Sequence, residues 1–187
     1  MLSMVRASRF DLTDLVAHVD QLAQDEWSER DLRICTVDMA SGGRRVLDRH
    51  SDVALSTAVA ASCAVPGLFS PQLVGSRQLV DGGVHSATNV DALPFDRIDE
   101  VVVIAPMAGS VFRGLLTASM RMRIAGTLRR ELRQVPTGMR VRLFVPGVEA
   151  SAVMGLDLMS KDRSADTVLA GFLEAGDMVA AATGSRR

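Results

Sequence analysis

The sequence predicts an α/β fold in which helices flank a partly parallel sheet. In the second half of the chain, apolar runs of strand length alternate with helical segments, an order that favours parallel strands. The run from Val101 to Ala105 is apolar throughout, as is typical of a strand buried on both faces. The length of 187 residues and the hydrophobic content of 48% are sufficient for one core, so we expect a single domain over residues 1–187.

Apolar spacing and turn residues locate the elements of the first half. Apolar residues recur at helical spacing near the start, and Ser41-Gly42-Gly43 is a turn between two strands. An alanine-rich segment is predicted to be a buried helix that ends before Pro66. The predicted elements are a helix over 12–24, strands over 32–38 and 44–48, and a helix over 53–64.

The second half contains longer helices. A stripe of apolar residues at helical spacing follows the run at Val101, and a shorter apolar run precedes Pro146-Gly147. The helix that closes the chain also has an apolar side. The predicted elements are a strand over 101–105, a helix over 114–132, a strand over 141–145 and a helix over 164–179.

The clearest candidate site is Asp81-Gly82-Gly83, which directly follows the apolar pair Leu79-Val80. We expect the carboxylate of Asp81 at the carboxyl end of a strand, pointing into a cleft. The two glycines permit positive φ and the close approach of another backbone or a ligand. Taken alone, the three residues would also fit an ordinary Asp-Gly turn.

The segment before this site adds a second motif, Ser62-x-x-x-Pro66-x-x-Phe69-x-Pro71 at the end of the alanine-rich helix. Together the two motifs resemble the C-terminal part of a patatin-like phospholipase domain, over about residues 32–179. In that family a short hairpin follows the helix, and the Asp-Gly-Gly motif supplies the acid of a Ser-Asp dyad. The resemblance implies hydrolysis of lipid acyl esters through an acyl-enzyme, hence lipid degradation, with Asp81 as catalytic residue and with no cofactor or metal.

The family's nucleophile is missing from this sequence. It is a serine in Gly-x-Ser-x-Gly, and none of the 15 glycines here has another glycine four residues on. The glycine-rich oxyanion loop is also missing, since the only adjacent glycines are Gly42-Gly43 and Gly82-Gly83. We therefore expect an N-terminally truncated patatin-like domain that is inactive by itself. The alternative is a non-catalytic remnant, that is, a pseudoenzyme or subunit that binds lipid or a partner.

Two other residues near the site are predicted to be structural. His85 follows the glycines, but a Ser-Asp dyad needs no histidine, so a locally bonded loop histidine is favoured. Ser62 lies inside a predicted helix and not on the strained elbow that a nucleophilic serine occupies.

Composition restricts the partners and the compartment. The net charge of −1 gives no reason to expect nucleic acid as a partner. The resemblance implies a lipid or another acyl ester as substrate. Cys35 and Cys63 are predicted to be buried thiols in a reducing compartment, and no apolar run is long enough to span a bilayer. We expect a cytoplasmic protein with peripheral membrane contact as an open alternative. Missing central strands would expose a sheet edge through which copies could form a homo-oligomer.

Overall fold

The structure is a computed structural model, and it describes residues 11–23, 26–108, 115–155 and 162–184. The chain divides into two compact units, Met1–Ala92 and Leu93–Arg187. Both contain helices and strands, which confirms the predicted α/β class. The predicted single domain over residues 1–187 stays a prediction.

The first unit is an antiparallel sheet of four strands with a helix packed on it. The elements are α1 (Thr13–Ala23), β1 (Ile34–Asp38), β2 (Arg44–Leu47), α2 (Leu55–Ser62), β3 (Gln72–Val74) and β4 (Arg77–Asp81). The strand order is β2-β1-β4-β3, so β1 and β4 are central. Helix α2 packs against β1, β3 and β4, and α1 packs against α2. They confirm the predicted helices and hairpin; residue 24, where the first helix is predicted to end, lies outside the described residues.

The core of the first unit lies between α2 and the sheet. Small side chains on α2, including the fully buried Ala58 and Ala61, let the helix lie close to the strands. Trp27 packs against this core, and its indole Nε1 donates a 2.8 Å hydrogen bond to the carbonyl oxygen of Val53. The buried cluster comprises Ile34, Leu47, Leu55, Ala58, Ala61 and Leu79.

A buried carboxylate holds the turn between β1 and β2. Asp38 is 2% exposed, and its Oδ1 accepts hydrogen bonds from the backbone N–H groups of Ala40 (2.9 Å) and Ser41 (3.1 Å). Its Oδ2 accepts a 2.7 Å bond from Nη1 of Arg77 on β4. Gly42 follows with a φ of +68°, a conformation that glycine adopts without steric cost. One carboxylate therefore joins the turn to a strand 39 residues further along.

The second unit is built around a pair of parallel strands. β5 and β6 run parallel, with Val102 opposite Arg142, and α3 lies between them in sequence. The elements are β5 (Glu100–Ile104), α3 (Leu115–Leu132), β6 (Arg140–Phe144), α4 (Val148–Met154) and α5 (Ser164–Gly184). This confirms the predicted strands and helices, although the start predicted at residue 114 lies outside the described residues. The short α4 has no counterpart among the predicted elements.

The prediction that the strand at Val101–Ala105 is buried on both faces is wrong. Val101 and Val103 are buried, but Val102 is 47% exposed and Ile104 is 73% exposed. The reason is that, within the described ranges, β5 and β6 pair only with each other, and side chains on one face of that pair stay open. Several apolar side chains of α5, such as Val168 and Phe172, are exposed as well.

Two further observations concern surfaces. On α3 the arginines whose side chains are described, at positions 123, 129 and 130, are exposed. Among the described residues, no helix combines the length and the apolar character needed to cross a membrane.

Candidate active site

Asp81 is the last residue of β4, at the place that the sequence predicts. It lies opposite Thr36 of β1, so the two central strands position it together. Its backbone N–H also donates a 3.1 Å hydrogen bond to the carbonyl oxygen of Ala64, just beyond α2. Strand and helix thus both fix the backbone of Asp81. That its carboxylate points into a cleft stays a prediction.

The carboxylate of Asp81 is held by the second glycine of the motif. Oδ1 accepts a 2.6 Å hydrogen bond from the backbone N–H of Gly83. A Cβ on Gly83 would lie 2.9 Å from this oxygen, closer than ordinary contact permits. Partial burial raises the pKa of Asp81, and the bond from Gly83 partly offsets that increase.

The first glycine of the motif, Gly82, lies against the backbone of β1. Gly82 is buried, and a Cβ at this position would lie 2.2 Å from the carbonyl oxygen of Cys35 on β1. Positive φ occurs at other glycines but not at Gly82 or Gly83. Close approach, and not left-handed backbone, is therefore the reason for glycine at both positions.

A single turn of 3₁₀ helix, Gly82–Val84, follows Asp81. The backbone N–H groups of His85 and Ser86 donate to the carbonyl oxygen of Gly82 at 3.0 and 3.1 Å. His85 is exposed, and this bond is made by its backbone, which agrees with a histidine in a locally bonded loop.

The residues after this turn are anchored to β2. Buried Ser86 accepts bonds at Oγ from the backbone N–H groups of Thr88 (3.2 Å) and Asn89 (3.1 Å). Asn89 has a φ of +50°, and its Oδ1 accepts a 3.3 Å bond from Nη1 of Arg44. The same guanidinium forms an ion pair with Asp91. Sequence reasoning missed Arg44, because no local pattern relates it to a loop 45 residues away; the only local signal was an asparagine in a turn.

Ser62 and Cys63 lie at the end of α2, close to the site. Ser62 is the last residue of this helix, as expected for a structural serine. Cys63 is exposed and Cys35 half-buried, so the prediction that both thiols are buried is wrong. Partial desolvation of the Cys63 thiol and the negative charge of Asp81 raise the pKa of Cys63. A raised pKa makes the Cys63 thiol a weaker nucleophile at neutral pH than an ordinary cysteine.

A metal centre has no support in the described part of the chain. No group of three or more histidine, cysteine, aspartate or glutamate side chains is arranged there to hold a metal ion. The chemical groups gathered around Asp81 are one carboxylate, one thiol and backbone N–H groups.

The first unit is similar to a known protein family. The sequence model of the family described as patatin-like phospholipase matches residues 4–94, just under half of the 187 residues. The match includes the helix with Ser62, the following hairpin and Asp81-Gly82-Gly83. A comparison with curated proteins found no match. The resemblance predicted for residues 95–179 lies beyond the matched region and stays a prediction. Residues 4–94 are therefore similar to part of a patatin-like phospholipase domain.

Proposed function

We propose that this chain supplies the catalytic acid of a lipid acyl hydrolase, and that Asp81 is this residue. The family that matches residues 4–94 is one of lipid acyl hydrolases. The observation that carries the proposal is the position of Asp81 within the match: a half-buried carboxylate at the end of a central strand, held by the glycine of its own motif.

The serine of the proposed dyad comes from outside these 187 residues, because the sequence contains no Gly-x-Ser-x-Gly. Its Oγ attacks the ester carbonyl carbon while the Asp81 carboxylate accepts the hydroxyl proton. The tetrahedral intermediate then loses the alcohol, which takes the proton from Asp81, and an acyl-enzyme remains. Water releases the acyl group by the same sequence of proton transfers and regenerates the serine.

The two oxygens of Asp81 have different roles in this proposal. Oδ1 accepts the hydrogen bond from Gly83 and fixes the orientation of the carboxylate. Oδ2 is the atom that we assign to the serine hydroxyl. An ordinary aspartate is a weak base towards an alcohol, and the raised pKa of Asp81 reduces this mismatch.

The test measures initial rates of p-nitrophenyl butyrate hydrolysis. The chain alone should not exceed background, because it has no serine to activate. Combined with an N-terminal segment that carries the family's Gly-x-Ser-x-Gly, it should become active, and Asp81→Asn should then reduce the rate by about 100-fold or more. Activity that survives Asp81→Asn, or substantial activity of the chain alone, would refute the assignment.

The control substitution is Asp99→Asn, since Asp99 is an exposed aspartate, whereas Asp91 is paired with Arg44. The hydrolysis rate of Asp99→Asn should equal that of the parent protein.

Loss of activity in Asp81→Asn should not reflect unfolding. A carboxyl whose pKa is raised in the folded state stabilises the fold below its unfolded pKa, and this contribution is lost as the pH rises. At pH 7, Asp81→Asn should therefore be as stable as the parent, or more stable by up to about 1 kcal/mol.

A further inference from the structure

Helix α3 presents a strongly basic face to solvent. Arg123, Arg130 and Arg133 recur at the spacing of one side of a helix, and Arg129 lies beside them. Arg133 directly follows α3 and continues it, since its backbone N–H donates a 3.3 Å hydrogen bond to the carbonyl oxygen of Arg129. All four arginine side chains are exposed, whereas the one acidic residue of α3, Glu131, is buried. The four arginines form the arginine face, which exposes four positive charges and no negative one.

Helix α5 presents a surface of the opposite charge. Two aspartates lie on one line along the helix with two leucines between them, at steps of three or four residues. These four residues, the aspartate stripe, are Asp166, Leu169, Leu173 and Asp177, and all four are exposed. Phe172 lies beside the stripe and is 74% exposed. Because α5 contains no lysine or arginine, no positive charge within the helix balances the stripe.

The third acidic residue of α5 serves another contact. Oε1 of Glu174 accepts a 2.9 Å hydrogen bond from the backbone N–H of Ala150, and Oε2 accepts a 2.7 Å bond from that of Gly147. The carboxylate of Glu174 thereby attaches the start of α4 to a different side of α5. Helix α4 packs on that side, and the aspartate stripe stays open to solvent.

The arginine face and the aspartate stripe match in length as well as in charge. Arg123 and Arg133 are ten residues apart, which is about 15 Å along a helix. Asp166 and Asp177 are eleven residues apart, or about 16.5 Å. Two helices laid side by side therefore bring an arginine to each aspartate, whichever way they run. Arginine stems cover apolar side chains, and a guanidinium is attracted to an aromatic ring, so the leucines of the stripe and Phe172 suit the same partner.

We propose that the arginine face of one copy of the protein binds the aspartate stripe of a second copy. Within a single chain both surfaces are exposed, so neither covers the other. Two copies related by a two-fold axis make the contact twice, since each copy carries both surfaces. This contact is made by helices and is therefore distinct from association through a sheet edge. It also goes beyond the proposed hydrolysis and does not depend on it, because Asp81 lies in the first unit.

Charge reversal tests the contact from both sides. The first variant is Arg123→Glu/Arg133→Glu, and the second is Asp166→Arg/Asp177→Arg. Each variant by itself places like charges opposite each other, so its dissociation constant in sedimentation velocity experiments should rise about tenfold or more. All four positions are exposed, and glutamate and arginine favour helix, so both variants should fold, which circular dichroism checks.

An equimolar mixture of the two variants gives the most specific measurement. In the mixed dimer every reversed arginine meets a reversed aspartate, and every native arginine meets a native aspartate. The mixture should therefore associate within about threefold of the parent affinity, which neither variant reaches alone. Raising the salt concentration from about 0.05 M to about 0.5 M should weaken the parent dimer by screening. The control, Arg30→Glu/Arg49→Glu, reverses two exposed arginines of the first unit and should leave association unchanged.

Other occupants of the arginine face give different results. Unchanged association in either double variant, or a mixture that associates no better than its components, would overturn the proposal. If the face binds a membrane instead, the parent will sediment with vesicles that contain phosphatidylserine, the first variant will not, and mixing will restore nothing. If it binds an acidic partner protein, the parent alone will stay monomeric and the proposal fails. Hydrolysis plays no part in these readouts, so a failed assignment of Asp81 leaves them interpretable.

Discussion

Gly82 lies so close to Cys35 that a Cβ on Gly82 would stand 2.2 Å from the Cys35 carbonyl oxygen and 2.7 Å from its carbonyl carbon. Cys35 is in β1, which is hydrogen-bonded on both sides, to β2 and to β4. The Cys35 backbone cannot withdraw without disturbing the ladders on either side of it. This contact sets the path of the chain just after Asp81, and it links the acidic motif to the centre of the sheet.

The first prediction concerns this contact. Gly82→Ala should reduce the free energy of unfolding by about 2 kcal/mol or more, because backbone must shift to admit one methyl group. The matched control is Gly126→Ala on α3, where a Cβ would meet nothing within 4 Å. That substitution should be neutral or stabilising by up to about 1 kcal/mol. Urea unfolding measures both effects, monitored by Trp27 fluorescence for Gly82→Ala and by circular dichroism for Gly126→Ala. A loss below about 0.5 kcal/mol in Gly82→Ala would contradict the close contact.

The second prediction concerns pH and Asp38. The hydrogen bond from Arg77, followed by the backbone bond from Ser41, holds the pKa of Asp38 below its usual value of 3.8. A carboxyl whose pKa is lowered on folding stabilises the protein above its unfolded pKa, and this contribution is lost as the pH falls through the folded pKa. Asp38→Asn should therefore lower the melting temperature at pH 7, and the difference from the parent should shrink below about pH 4.

The control for Asp38 is again the exposed Asp99. Asp99→Asn should change the free energy of unfolding by no more than about 0.5 kcal/mol at either pH. Melting curves of the parent protein, Asp38→Asn and Asp99→Asn between pH 7 and pH 3 measure both effects. A melting-temperature difference for Asp38→Asn that stays constant over this range would show that its ionised form contributes nothing to the fold.

The third prediction concerns the open face of the β5–β6 pair. Val102 and Ile104 are 47% and 73% exposed there, beside Arg142 and Phe144, their partners in the strand register. Apolar strand surface of this kind promotes self-association, so we expect concentration-dependent oligomers in sedimentation velocity experiments. Val102→Lys should shift the protein towards monomer, because a charge on this face opposes its burial against a second copy.

A matched variant tests whether self-association depends on this face and not on any exposed strand. Leu73 lies on the edge strand β3 of the first unit and is 67% exposed. Leu73→Lys adds the same charge at another strand and should leave the oligomer unchanged. A monomer at every concentration, or equal effects of the two lysines, would exclude association through β5 and β6.

Local sequence patterns predicted the elements well and their environments less well. The helix predicted over 12–24 is Thr13–Ala23, and Asp81 ends its strand as the apolar pair Leu79-Val80 indicated. Apolar periodicity cannot show which face a neighbour covers, which is why Val102 and Ile104 are exposed against expectation. The seven residues of α4 are too few to establish a helical period.

The candidate site was also only partly predictable from the sequence. Its acidic residue and both glycines were evident, because they lie next to each other in the sequence. Close approach of another backbone was one of two reasons expected for Gly82, but its partner, Cys35, could not be predicted because it lies 47 residues earlier in the chain. The anchoring of the loop by Arg44 also arises from residues distant in sequence, which only the folded chain brings together.

The position of Trp27 has a practical consequence for spectroscopy. It is the sole tryptophan of a chain without tyrosine, and it packs against the core of the first unit. Intrinsic fluorescence therefore reports on that unit alone. The two longest helices, of 18 and 21 residues, belong to the second unit and dominate the far-ultraviolet circular dichroism. One unlabelled sample thus yields a separate optical signal for each half of the molecule, and the two melting midpoints can be read independently.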